Sequence, residues 1–250
     1  MSPVRTRLAA PKDKMKIAIY GDSFANNVVS LSSKPWMKIL ADTDRSLQIT
    51  NYGEAGSSLW YSYRKYLDTY QNYDKHIFLI TSDERFTLTE NLPVKHIAGW
   101  ATVSTLIKDG KIPNNKESQR LNNFAQGMYE FLDPQFFNDV SNCLYRHLLS
   151  MNNANTLFLP CFEHMKFKEL NHRCSLFHIS ELDWIQYGLN TWAMALGDLR
   201  NCHMNPENNQ ILADKIYNWI SNNTPVILKL EDFVTSKLPK NLLFKEYVIP

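Results

Sequence analysis

Two groups of residues in this 250-residue sequence are of types that do chemistry. The first is Gly21-Asp22-Ser23, directly after the apolar run Lys16-Ile17-Ala18-Ile19-Tyr20. A serine in a glycine-containing turn beyond the carboxyl end of a strand can project its Oγ into a cleft while its own N–H points at the same spot. That geometry suits nucleophilic attack on a carbonyl. Gly, Asp and Ser are also common turn residues, so the tripeptide alone is weak evidence. The second group is Cys161-x-x-His164 with His172-x-Cys174. Structural zinc uses Cys/His sets with paired spacings. The His-x-Cys half is atypical, and Cys161 and Cys174 fall in or beside expected strands. These residues are therefore read as structural, with no metal and no cofactor. His96, His147 and His178 read as surface or satisfied core histidines, and Glu54 as a solvated loop acid close to Gly56.

The elements that must position Ser23 follow from hydrophobic patterning. Lys16–Tyr20 reads as a buried parallel strand, because a near-continuous apolar run marks a strand covered on both faces. Comparable runs occur at Leu47–Tyr52, His76–Thr81, Asn155–Pro160 and Cys174–Ile179. Helical spacing predicts helices over 58–70 (Leu59, Tyr63, Tyr66, Leu67, Tyr70), 117–132 (Leu121, Phe124, Ala125, Met128, Phe131, Leu132), 135–149 (Phe136, Val140, Leu144, Leu148) and 206–220 (Leu212, Ile216, Trp219, Ile220). Asn205 suits the N-cap of the last helix and Pro206 its first position. Alternating strands and helices predict an α/β three-layer sandwich with a mainly parallel five-stranded sheet. Residues 1–14 read as a flexible arm, 15–222 as the main domain and 223–250 as a C-terminal appendage. The appendage holds two strand-like pieces, Val226–Leu230 and Leu243–Ile249, and is a candidate homo-oligomer contact. Residues 86–116 have weak periodicity and turn-rich pieces, so they read as an insertion over one end of the sheet.

Composition excludes several classes. Apolar residues make up 44% and charged residues 21%, with a net charge of +2, the balance of a soluble globular chain. The basic residues near the N-terminus are interrupted, which argues against a nucleic-acid partner. No apolar stretch is long enough for a membrane span or a signal-peptide core, so a cytoplasmic location is expected. Cys143, Cys161, Cys174 and Cys202 show no framework spacing and read as reduced thiols.

The chain resembles the SGNH (GDSL-type) hydrolases. Strand-Gly21-Asp22-Ser23 matches the first block of that family. Asn51-Tyr52-Gly53-Glu54-Ala55-Gly56-Ser57 follows the second strand, and Gly56 matches the family's oxyanion glycine. His203-Met204-Asn205-Pro206-Glu207 matches the histidine block before the last helix, and the resemblance spans roughly residues 15–220. It implies an ester hydrolase in which His203 activates Ser23 and the N–H groups of Ser23 and Gly56 form the oxyanion hole. It implies a small-molecule or carbohydrate ester as substrate, with acetyl or another short acyl group.

Two departures stand out. Where the family has an oxyanion-donating asparagine, this chain has Asp83, and an ionised carboxylate has only acceptors. Arg85, Ser82 or a backbone N–H are the candidate replacements, Arg85 through charge-assisted donors; the alternative has Asp83 capping a turn and Arg85 pairing with it or with Glu84. Where the family has the triad acid, three residues before the histidine, this chain has Arg200. Asp198 is the nearest acid, and without it the site is a Ser-His dyad. These departures keep two other readings open: a catalytically degenerate fold used for binding or assembly, and an acyltransferase.

Overall fold

The structure, a computed structural model, describes residues 14–25, 34–89, 91–99, 101–151, 154–162, 170, 172–180 and 204–235. In chain order the elements are β1 (Met15–Tyr20), α1 (Trp36–Thr43), β2 (Leu47–Asn51), α2 (Leu59–Thr69), β3 (Lys75–Ile80), β4 (Phe86–Thr87), β5 (His96–Ile97), α3 (Thr102–Lys108), α4 (Lys116–Phe131), α5 (Pro134–Ser150), β6 (Thr156–Pro160) and α6 (Pro206–Asn222). Four strands form a parallel sheet in the order β2-β1-β3-β6, with Ile17 opposite both Ile49 and Lys75, and Ile77 opposite Leu157.

Alternation along the strands sorts side chains to two faces. Ile17, Ile19, Ile77, Leu79, Leu157 and Leu159 pack with α1 and α6. Ala18, Tyr20, Phe78 and Ile80 pack on the other side with α2 and α5. Both faces are covered, which is why β1 and β3 read as continuous apolar runs. The result is the expected α/β fold, a mainly parallel sheet flanked by helices. Pro206 opens α6 behind an Asn205 cap whose side chain accepts from Asn208 N–H at 2.6 Å. The start of β3 is tied to the end of α6, because Lys75 Nζ donates to Asn223 Oδ1 at 2.8 Å and lies over the Trp219 ring.

β2 lies on one side of β1 and β3 on the other. The chain order thus reverses at β1/β3, and in open α/β sheets the crevice at that reversal, beyond the carboxyl ends, is where ligands bind. Ser23 follows β1, so this topology puts it at the mouth of that crevice.

Several expectations change. Cys174–Ile179 is not a fifth strand: residues 176–180 are helical, Ser175 Oγ accepts from His178 N–H at the start, and Leu176 and Ile179 are buried at a spacing of three. A short apolar run has no period of its own to separate strand from buried helix. Val226–Leu230 forms no ladder among the described residues. Val226 and Leu228 are buried with the period of a strand, but among the described residues the segment's one backbone–backbone bond to a distant part of the chain runs from Arg173 N–H to Leu228 O. Leu243–Ile249 lies outside the described residues.

The α4 and α5 helices form as predicted, with only part of each expected face inward. Phe131 is 80% exposed and Phe136 52% exposed, while Leu121, Ala125, Phe137, Ser141, Tyr145 and Leu148 are buried. The 86–116 insertion is a β4–β5 antiparallel pair and α3, which close a small separate core on α4 through Val94, Ile97, Val103, Leu121 and Ala125. Among the described residues no helix is long and apolar enough to cross a membrane.

Removing a fully buried leucine leaves a cavity that close-packed neighbours fill only partly. Leu79→Ala is expected to lower unfolding free energy by about 2–5 kcal/mol, and Phe131→Ala to change it by less than about 0.5 kcal/mol. Urea titrations of both variants check this; equal losses would contradict the inward face assigned to α4.

Candidate active site

The serine turn is built by its neighbours. Gly21 adopts φ +153°, and a Cβ there would meet Leu79 Cβ at 2.6 Å, so only glycine lets β1 leave the sheet this close to β3. Asp22 Oδ1 accepts from Phe24 N–H at 3.0 Å, and Asp22 O from Ala25 N–H at 3.0 Å. This is a turn in which the aspartate side chain substitutes for backbone. Asp22 and Phe24 are buried, while Ser23 between them is half-buried. Ser23 is thus the one residue of the turn, from Gly21 to Ala25, that keeps solvent access. The Phe24 carbonyl accepts from Trp36 Nε1 at 3.0 Å, which pins the turn to α1.

Asp22 joins this turn to the loop after β3. Its Oδ2 accepts from Thr81 Oγ1 at 2.9 Å and from Arg85 Nη1 at 2.6 Å, and its side chain has no exposed surface. Cys161 Sγ lies 3.7 Å from Asp22 Oδ1; burial and the Asp22 charge push its thiol well above the usual range, so it remains protonated. The Arg85 guanidinium also stacks 4.8 Å from the Phe162 ring centroid. Arg85 therefore pairs with Asp22 rather than with Asp83 or Glu84. Asp83 and Glu84 occupy a turn beside Ser82, whose Oγ accepts from Glu84 N–H at 3.4 Å, so Ser82 rather than Asp83 closes it.

The β2 loop approaches from the other side. Gly21 O accepts from Ser57 Oγ at 2.9 Å and from Glu54 N–H at 3.1 Å. Asn51 Nδ2 donates to Ala25 O, and Asn51 Oδ1 accepts from Gly53 N–H at 2.8 Å. A Cβ on Gly53 would collide with Ala25, so this glycine is the one pressed against the serine turn. Gly56 has φ +76°, in the left-handed region, and its nearest side chains are His96 and Ala98 on the β5 side.

Glu54 is no solvated acid. Its carboxylate accepts from Tyr61 Oη, from Lys95 Nζ at 2.7 and 2.9 Å, and from His96 Nε2 at 2.8 Å. Burial opposes its ionisation, but Lys95, Tyr61 and His96 overcome this and hold the carboxyl at about 2. Burial pushes the His96 imidazole below its ordinary value against the pull of Glu54, so it is neutral at pH 7. With Nε2–H on Glu54, Nδ1 accepts from Thr87 Oγ1 at 3.0 Å, and Thr87 meets Ser58 Oγ at 2.8 Å. Glu54 and His96 stand apart in sequence, and no local pattern joins them.

His203 and Asp198 lie outside the described residues. The residue after His203 is Met204, which is buried, and its carbonyl accepts from Asn209 Nδ2 at 2.8 Å. Asn209 Oδ1 in turn accepts from Trp36 N–H at 2.9 Å. Trp36 thus bonds through its backbone to the residue that holds Met204, and through its indole to Phe24, the neighbour of Ser23. His164 also lies outside the described residues. His172 is committed: Nδ1 accepts from Leu228 N–H at 2.9 Å, which places its proton on Nε2, 3.0 Å from Phe158 O. Neither nitrogen has a lone pair left for a metal.

No family model and no curated protein matches the sequence. Among solved structures, an acetyl xylan esterase, AlAXEase, aligns with 82% of this chain and all of that one at 13% identity and TM-score 0.34. A member of the lipolytic protein G-D-S-L family from Veillonella parvula DSM 2008 aligns with 84% of this chain and all of that one at 14% identity and TM-score 0.35. Likenesses this distant carry no argument about the site.

Arg85→Met leaves the Asp22 charge buried without its partner and is expected to cost about 3–5 kcal/mol of stability. Adding Asp22→Asn should restore most of the loss, as read by denaturant unfolding of the single and double variants; an additive loss would contradict the pairing. Glu54 has a depressed folded pKa, so its contribution is present above the unfolded value of 4.5 and is lost as pH falls toward about 2. Glu54→Gln should flatten the acid limb of the Tm-against-pH curve in that window and leave its slope near neutrality unchanged.

Proposed function

We propose that this chain is a serine esterase that removes a short acyl group, such as acetyl, from a polar or carbohydrate carrier. The observation that carries the reading is Ser23 itself: half-buried between two buried residues, at the carboxyl end of β1, where the strand order reverses. In this reading His203 takes the Ser23 proton, and Oγ attacks the ester carbonyl. The tetrahedral intermediate collapses by breaking the bond to the alcohol, which leaves with the proton that His203 returns. Water, deprotonated by His203, then releases the acid and regenerates Ser23. Asp198 is the candidate that orients His203.

The hydrogen-bonded bridge Phe24–Trp36–Asn209–Met204 supports the pairing of Ser23 with His203, because it ties the sequence neighbours of both to one helix start. The oxyanion would be met by the N–H groups of Ser23 and Gly56. Arg85 is the candidate for the donor that Asp83 cannot supply: a guanidinium has five N–H groups, and the bond to Asp22 uses one.

Ser23→Ala is expected to lower hydrolysis of p-nitrophenyl acetate by at least about 10³-fold, and a fluorophosphonate should label the parent protein at Ser23 alone. Hydrolysis surviving the substitution would sink the assignment. Absence of labelling in folded protein would favour a binding module, and acyl transfer to added alcohols in preference to water would make the enzyme a transferase.

A further inference from the structure

A cleft of about 520 Å³ lies between α2 and the β4–β5 hairpin, within the size range of small-molecule sites. One wall is α2, which presents Trp60, Tyr61, Arg64, Lys65 and Asp68. The aromatic and cationic residues come in two pairs four apart in sequence: the Arg64 guanidinium sits 5.6 Å from the Trp60 ring centroid, and Lys65 Nζ sits 5.7 Å from that of Tyr61. Trp60 is 45% exposed, whereas Tyr61, Tyr63 and Tyr66 of the same helix are buried. Among the described residues no carboxylate lies within 4.0 Å of Arg64 or Lys65. The opposite wall contributes Thr87 and Thr89, together with Lys95, whose ammonium is held by Glu54.

We propose that this cleft binds a carboxylated sugar, a uronate unit of an acidic oligosaccharide. Trp60 stacks on Tyr63 with ring centroids 5.6 Å apart, and the exposed part of its ring is offered to the C–H surface of a pyranose. Arg64 and Lys65 supply charge-assisted donors to one carboxylate. Asp68, on the same face, repels a second negative charge and accepts from hydroxyls, which selects a hydroxylated monoanion over a phosphate dianion or a plain aromatic acid. The hairpin wall is rigid because Thr87 is locked through His96 to Glu54 and through Ser58 to the start of α2. The site rests on the cleft's own lining and holds whether or not Ser23 is reactive.

Calorimetric titration of the full-length Ser23→Ala protein tests it without interference from turnover. Trigalacturonate should bind, its methyl ester at least about tenfold more weakly, and raising salt to about 0.5 M should weaken the acid form alone. Arg64→Gln with Lys65→Gln, and separately Trp60→Ala, should each weaken binding about tenfold while circular dichroism stays unchanged. Equal affinity for acid and ester, binding that ignores both variants, or no binding by the folded protein would overturn the site. Benzoate or inorganic phosphate binding as tightly as trigalacturonate would overturn the assignment to a sugar acid.

Discussion

A carboxylate with no surface in water must be compensated where it stands, and Asp22 is such a group. Withdrawing it from solvent costs several kcal/mol even after relaxation. That cost is met by a turn N–H from Phe24, a hydroxyl from Thr81 and a guanidinium from Arg85. The three donors come from different places: the serine turn itself, the end of β3, and the loop beyond it. Satisfying Asp22 therefore fixes the relative position of the two loops that bound the β1/β3 crevice. The backbone of Ser23, between buried Asp22 and buried Phe24, is held by the same bonds.

The rest of the site is arranged by close backbone approach. Gly21 lets β1 turn out beside Leu79, and Gly53 lets the β2 loop lie against Ala25. Larger residues at either position would push the loops apart and break the bonds that Gly21 O accepts from Ser57 and Glu54. A second, half-exposed charge cluster then ties the β2 loop outward. Glu54 reaches Lys95 and His96 on the hairpin and Tyr61 on α2, so the insertion is anchored to the same loop that carries Gly56. The buried pair sets the serine turn, and the half-exposed cluster sets the wall beside it.

Much of this was legible in the sequence where the signal is local. Strands covered on both faces read as apolar runs, and β1, β2, β3 and β6 appear close to their expected limits. The α2 and α6 helices show their periods and caps directly. What local pattern does not carry is phase and partner. Phe131 and Phe136 belong to a helical period but are exposed, because the separate core of the insertion takes only Leu121 and Ala125 of the face expected of α4. The sequence offers Arg85 either as an oxyanion donor or as a partner of Asp83 or Glu84, and neither reading names Asp22, because a desolvated carboxylate 63 residues away outcompetes exposed ones nearby. Glu54 and His96 were each read as bland for the same reason: their roles exist only once the hairpin folds back over the β2 loop. Ser23 and Gly56 sit in the turns expected of them, while His203 and Asp198 lie outside the described residues.

In the proposed reaction, the pairing of Arg85 with Asp22 also changes what the loop after β3 could contribute at Ser23. An isolated guanidinium would stabilise a developing oxyanion through its full charge over several ångströms. Paired at 2.6 Å with a buried carboxylate, the two form a unit of no net charge, and their field at a distance largely cancels. What survives is directional: N–H groups not engaged by Asp22 still act as donors at contact range. For an oxyanion at Ser23, help from this side is thus a matter of hydrogen-bond placement rather than charge. The proposed oxyanion would remain sensitive to Asp83, which is in no ion pair among the described residues. The same neutralisation stabilises the turn, since the donors to Asp22 all come from the chain itself.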